Sequence, residues 1–275
     1  MVDLFLNIRG KKMEAEILKY YSKFKEIYNE ENYPEWFAFC NDHNKQFGDD
    51  GYKLGVSGHE LKHFAILQTK IYEEKEIIIV GNNNSWFVPG NMRESLKVVK
   101  GLKKGIPEDN FLTRNESDYS RDLRSYFEVL GEDSEKLFER AIGINRLWIQ
   151  TGPKCPPKEL NDAMKMDQPN IEEMKRAKKL RKEWNKLQEN CEKWTKEIIE
   201  LINPKLLLLL SGAAQKLYPE GQHDNRFWVQ HCPAPSFKRY QQKLKPDYFE
   251  FKSLDELEKF KAIKIKNGLE QAGLI

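Results

Sequence analysis

The chain has 275 residues, enough for one large or two small domains with a sizeable buried core. Its 46 Lys and Arg exceed its 43 Asp and Glu by only three, so the overall charge neither demands a polyanionic partner nor excludes one that meets a local basic face. Four cysteines without a C-x-x-C pair argue against a secreted disulfide scaffold, and no segment reaches the ~20 apolar residues that span a bilayer. The amino terminus meets a charge at Asp3 and lacks the apolar region of a signal peptide, so a soluble cytoplasmic monomer with no membrane partner is expected.

Residues 12–29 place Ile17, Tyr20, Tyr21, Phe24 and Ile27 at helical spacing and predict an amphipathic helix. Tyr33-Pro34-Glu35-Trp36 predicts a turn into a second, short apolar stretch. Ser57-Gly58-His59-Glu60 has the S-x-x-E form of a capping box, so a helix should start there. Glu76 leads into Ile77-Ile78-Ile79-Val80, a continuous apolar run typical of a strand covered on both faces. The signal Gly81-Asn82-Asn83-Asn84 should end it in a turn.

A helix is expected over 95–104, then a turn at Gly105-Ile106-Pro107, then helices over 119–130 and 134–141. Ile144–Gln150 predicts a second buried strand, running into the Pro- and Gly-rich segment from Thr151 to Pro157. A charged helix covers 171–201, and Pro204 separates it from a strand over 205–210 that ends in Ser211-Gly212-Ala213-Ala214. A fourth strand, 227–230, runs into His231. The capping box Ser253-Leu254-Asp255-Glu256 opens a last helix that should stop near Gly268 or Gly273.

Apolar strands alternating with helices call for a three-layer α/β/α sandwich around a central four-stranded parallel sheet, with an N-terminal helical extension. A single domain is expected: an extension over 1–70, a motif-bearing core over 76–238 and a C-terminal helix over 253–272. In such sheets ligands gather at the carboxyl ends of the strands. His231 stands at one of those ends, followed by a loop that Pro233 and Pro235 stiffen and that reaches Phe237, an apolar tip suited to act as a wedge.

Taken in order, the strand-end loops resemble those of the uracil-DNA glycosylase superfamily. The family's strand followed by Gly-x-Asp/Asn is matched by Ile79-Val80-Gly81-Asn82-Asn83, and its His-Pro-Ser-Pro motif by His231-Cys232-Pro233-Ala234-Pro235-Ser236 with one extra residue. Ile106-Pro107 followed by Asn110 is similar to the proline-rich phosphate-contacting loop. Trp148-Ile149-Gln150-Thr151 takes the place of the base-reading Leu-Asn-Thr strand end. Pro204 through Lys216 resembles the strand and Gly-Ser loop that touch the DNA backbone. The resemblance covers roughly residues 76–238.

It implies a DNA glycosylase with no cofactor that flips out a uracil-like or modified pyrimidine and hydrolyses its N-glycosidic bond. His231 would donate to the departing base and Asn83 would orient water. Asn82, Asn84, Trp86, Phe87, Gln150 and Thr151 would form the base pocket. Pro107, Ser211, Gly212, Phe237, Lys238 and Arg239 would contact DNA, with Phe237 filling the gap left in the duplex. The sequence departs from the pattern at Asn84, where the family has Pro, and at Gln150 and Thr151, which replace the uracil-reading Asn. Asn83 in place of Asp resembles the mismatch-specific and single-strand-selective branches. The longer amide or hydroxyl at the base edge suggests a base other than plain uracil, such as a hypermodified cytosine of phage DNA.

Three other features compete. A non-catalytic nucleic-acid-binding protein on the same fold would use the same loops. His59-Glu60-Leu61-Lys62-His63 matches the H-E-x-x-H zinc-peptidase pattern, with both imidazoles on one helical face and Glu60 as base, but no clear third-ligand helix follows. Cys155 and Cys191 resemble two ligands of the superfamily's iron–sulfur branch, which also needs an N-terminal C-x-x-C where this chain has only Cys40. The run from Lys175 to Lys182 either tracks phosphates or is a solvated helix face diluted by Glu172, Glu173 and Glu183.

Overall fold

The structure, a computed structural model, describes residues 2–47, 66–71, 74, 76–84, 102–103, 106–107, 118–150, 171–219, 226–233 and 254–275. Ile77–Asn84 (β1) begins the sheet, and Leu102–Lys103 (β2) and Ile106–Pro107 (β3) form a separate antiparallel pair. Ile142–Gln150 (β4), Leu206–Leu209 (β5) and Trp228–His231 (β6) complete an all-parallel four-stranded sheet in the order β4-β1-β5-β6. The helices are Val2–Ile27 (α1), Pro34–Phe47 (α2), Asp118–Glu128 (α3), Glu132–Glu139 (α4), Ile171–Ile202 (α5) and Leu254–Gln271 (α6).

The first half of β1 and all of β5 are apolar because both of their faces are covered. Ile78, Val80, Leu207 and Leu209 belong to one core with α1, α2 and α5, whereas Ile77, Ile79, Leu206 and Leu208 belong to a second with α3, α4 and α6. Alternation along β1 and β5 divides a continuous hydrophobic run between two cores. This is the three-layer α/β/α arrangement expected from the sequence. The N-terminal helices are built into it, since Ile17, Phe24, Tyr28, Tyr33 and Trp36 are core residues. No helix among the described residues is long and apolar enough to cross a membrane.

Aromatic packing joins α1 and α2 to α5 and β4. Phe24 stacks on Tyr28 at 4.8 Å, Trp36 meets Trp184 at 5.1 Å and Trp148 meets Trp194 at 5.5 Å, within the range where ring pairs add to area burial. The polar ends are satisfied: the Trp36 Nε1–H donates to the Tyr28 hydroxyl, and the Trp148 Nε1–H donates to Thr195 Oγ1, which donates in turn to the Asn145 carbonyl. The sheet's β4 edge is also covered. The Gln68 N–H donates to the Gly143 carbonyl, the Asn145 N–H to the Ile66 carbonyl and the Gly143 N–H to Thr69 Oγ1.

Three local expectations change. Gly81–Asn84 is not a turn but the last half of β1, because β4 continues to pair with it beyond the end of β5. The expected 95–104 helix does not extend over Leu102–Lys103, which pairs with Ile106–Pro107. Pro34 does not sit within a turn but opens α2, a first-turn position where its missing N–H costs nothing. Of the two stops expected for the last helix, the second is the one seen: it passes through Gly268 and ends before Gly273, which has φ +64°. The 32-residue α5 ends at Asn203, with φ 53°, followed by Pro204. The expected helix starting at Ser57 lies outside the described residues.

Gly268 is explained by packing, since a Cβ there would lie 3.0 Å from Gln230 Cβ and Cγ and 3.2 Å from Leu206 Cδ1. Gly268→Ala gains about 1 kcal/mol of helix propensity but overpacks the α6–sheet contact, which costs about 1–3 kcal/mol. The expected outcome in urea denaturation is net destabilisation, where an exposed helical glycine would give the opposite sign.

Candidate active site at the carboxyl edge of the sheet

The chain leaves β1 towards β4 on one side and leaves β5 towards β6 on the other. The sheet therefore has its topological switch point between the carboxyl ends of β1 and β5, where open α/β sheets form a crevice. Ile144, Val80, Leu209 and His231 form one row across the four strands. β5 stops at this row, with the Leu210 N–H donating to the Val80 carbonyl, while β1 and β4 climb past it. Asn83 pairs with Leu147 and Asn84 with Gln150, so β4 carries two extra residues in a bulge. Asn83 lies two strand spacings across and three residues above His231, or ~14 Å between Cα atoms for regular strands.

Gly81 is fixed by close approach. A Cβ there would meet Gln68 Nε2 at 2.9 Å, and that amide donates to Asn145 Oδ1. Asn145 is fully buried, and its carbonyl accepts from Thr195. Gln68 and Asn145 thus form an amide bridge over the strand just before Asn82–Asn84.

His231 is partly exposed and its Nε2 lies 2.8 Å from the Tyr218 carbonyl oxygen. A carbonyl only accepts, so Nε2 carries a proton and donates. In the neutral ring Nδ1 is then the acceptor. To donate to a ligand the ring must give up Tyr218 or bind a second proton. The next residue is anchored on both sides: the Cys232 N–H donates to the Leu209 carbonyl, and its own carbonyl accepts from Gln215 Nε2 at 3.2 Å. Gln215 lies in the 3₁₀ turn Ala214–Leu217, which Ser211 caps by accepting the Ala214 N–H at 3.0 Å. The Ser211 hydroxyl keeps its own proton to donate outward. Gly212 is exposed, and a Cβ there would meet nothing within 4 Å.

The structure brings the backbones of Asn82, Asn83, Asn84 and Gln150 to the same sheet edge as Ser211, Gly212 and His231. Pro107 lies in the small β2–β3 pair, outside this sheet. Trp86, Phe87, Thr151, Phe237, Lys238 and Arg239 lie outside the described residues, as do His59, Glu60, His63 and Cys155. Cys191 is buried in the aromatic core, and Cys40 is also buried. Among the described residues no group of three or more His, Cys, Asp or Glu is placed to hold a metal. Tyr218, Gln215, Gln68 and Asn145 were not singled out from sequence. Tyr218 acts here through a backbone carbonyl, which has no sequence signature. No protein-family model matches the chain, and no curated protein matches it.

Burial pushes the Cys232 thiol up to about 12, with Lys264 pulling the other way. An unfolded thiol ionises near 8.5. Between these values the folded chain keeps a proton that the unfolded chain loses, so stability falls as pH rises from about 9 towards 12. Urea midpoints measured across this range should fall less steeply for Cys232→Ala than for the wild type.

Proposed function

We propose that the chain is a DNA glycosylase that flips out a uracil-like or modified pyrimidine and hydrolyses its N-glycosidic bond. The observation carrying this reading is that the parallel sheet brings the carboxyl ends of β1, β4, β5 and β6 to one edge with a switch point between β1 and β5, His231 and the backbone of Asn83 both lying on that edge. Removing a base from deoxyribose needs little covalent help. The C1′–N bond breaks with its electron pair leaving on the base, water adds to C1′, and the water's proton passes to solvent. The protein must hold the extruded base, donate to the base oxygen where charge gathers and orient the water.

In this reading His231 supplies the donor by exchanging the Tyr218 carbonyl for the base. Asn83 orients the water without accepting its proton. Gln150 and Thr151 read the base edge, with Asn82, Asn84, Trp86 and Phe87 around it. Ser211 and Gly212 meet the phosphate backbone, helped by Pro107, Lys238 and Arg239, and Phe237 fills the vacated stack. The Gln150–Thr151 pair favours a bulky modified base over plain uracil. Hypermodified cytosine in phage DNA fits, which would make the role antiviral defence in the cytoplasm beyond uracil repair. One observation favours a second reading, a non-catalytic DNA-binding protein on the same fold: the His231 donor is already occupied by Tyr218.

Mass spectrometry of free bases released from DNA containing uracil, hydroxymethylcytosine or glucosylated hydroxymethylcytosine separates the two. A glycosylase releases one of these bases and leaves abasic sites; DNA binding without release supports the second reading. His231→Ala should lower single-turnover base release by about 10²–10³-fold, the usual effect of removing one donor to a developing anion. Its circular dichroism should match the wild type.

A further inference from the structure

Helix α5 is longer than the sheet it covers. Its carboxyl end sits at the amino edge of the sheet, where the Lys205 N–H donates to the Glu76 carbonyl. Its 32 residues run roughly 48 Å, at 1.5 Å per residue, antiparallel to strands that reach only about 26–30 Å. Thr195 and Glu192 lie against Asn145 and Arg146 of β4, so the first half of α5 overhangs the carboxyl edge by roughly 20 Å.

The overhang is braced by α2. Trp36 packs on Trp184 and its N–H donates to the Glu183 carboxylate, while Arg176 pairs with Glu35 and Asp42. Burial raises the Glu183 pKa against these hydrogen bonds, as expected of a carboxylate turned inward. The apolar stripe Leu180, Trp184, Leu187, Cys191 and Trp194 is buried. Only Ile171 and Met174, in the first turn, expose large apolar side chains on this half of the helix, a patch too small for a membrane-binding face.

The opposite face is basic. Lys175, Lys179, Lys182 and Lys186 follow one another at steps of four, three and four residues, which stacks them in a single row, and Lys178 lies beside it. All five are exposed. Lys175 pairs with Glu172 and the Lys186 ammonium lies 5.3 Å over the Tyr33 ring, whereas Lys178 and Lys182 make no ion pair among the described residues. The row spans roughly 17 Å, the length over which one DNA strand presents about five phosphates.

We propose that the overhanging half of α5 is a DNA-backbone arm that grips duplex flanking the extruded nucleotide, independently of sequence. This rests on the glycosylase reading of the carboxyl edge and adds to it a contact surface remote from the base. The test is fluorescence anisotropy of a labelled duplex against salt, comparing the wild type with Lys178→Gln, Lys179→Gln, Lys182→Gln and Lys186→Gln combined. A Lys259→Gln and Lys266→Gln pair on exposed positions of α6 is the control. The arm variant should bind at least tenfold more weakly at low salt, with the slope of log K against log salt reduced by about three to four, while the control changes neither.

An arm variant that keeps the wild-type affinity and slope overturns the arm. So does a wild type whose arm lysines are needed for anionic phosphatidylserine vesicles but not for DNA. Free-base release measured on the same preparations separates the two ideas. Release with arm-independent binding removes the arm alone. Arm-dependent binding without release sustains the arm and removes the glycosylase. A wild type that binds no DNA removes both.

Discussion

Four consecutive residues, Ile77–Val80, must be buried on both sides, and this constraint organises the molecule. Each belongs to one of two cores in strict alternation, so a one-residue slip of β1 would exchange every contact between the helical layers. The register it enforces aligns Ile144, Val80, Leu209 and His231 in one row. β5 and β6 end at or within one residue of that row, while β1 and β4 continue past it. Asn83 and His231 both lie in strands, so the relative position of their backbones is a property of the sheet register that the hydrophobic core enforces.

The layer formed by α1, α2 and α5 shows how polar groups are handled in so aromatic a core. Trp36 and Trp148 each find an acceptor for the indole N–H, and Arg146, almost fully buried, is met by Glu192, which also accepts from Gln188. A buried charge tolerated in this way is costly to break from one side only. The Trp148–Thr195 and Arg146–Glu192 links cross from β4 to α5, so they set the sliding position of α5 along β4. They thereby set how far the helix projects beyond the sheet.

The fold was legible in the sequence where hydrophobic runs had strand length and where a long charged segment kept helical spacing. β1, β4, β5, β6 and α5 all emerge from such patterns, and parallel order followed from their alternation. The turn signal at Asn82–Asn84 misled because local asparagine preference yields to a ladder with β4 that no local pattern announces. The Leu102–Lys103 and Ile106–Pro107 pair was hidden for the same reason. At the candidate site, residue types at strand ends were visible, but the partners that constrain them were not. Gln68 comes from a distant segment and Tyr218 contributes a backbone oxygen, so neither carries a mark that residue type alone reveals.

The short segment Ile66–Thr69, laid along β4, has a consequence beyond its few hydrogen bonds. An outer strand normally offers a template on which another chain can extend the sheet. Here Ile66 and Gln68 take up the backbone groups of Gly143 and Asn145, and Thr69 spends a side chain, not a strand, on the Gly143 N–H. The rim thus ends in a hydroxyl instead of a fresh ladder. On the opposite side β6 offers only four residues, with α6 packed against it. A parallel sheet assembles slowly from distant segments and risks intermolecular pairing while it does so. This chain covers the Gly143–Asn145 stretch of its longer rim with its own backbone, which guards that stretch against edge-to-edge aggregation.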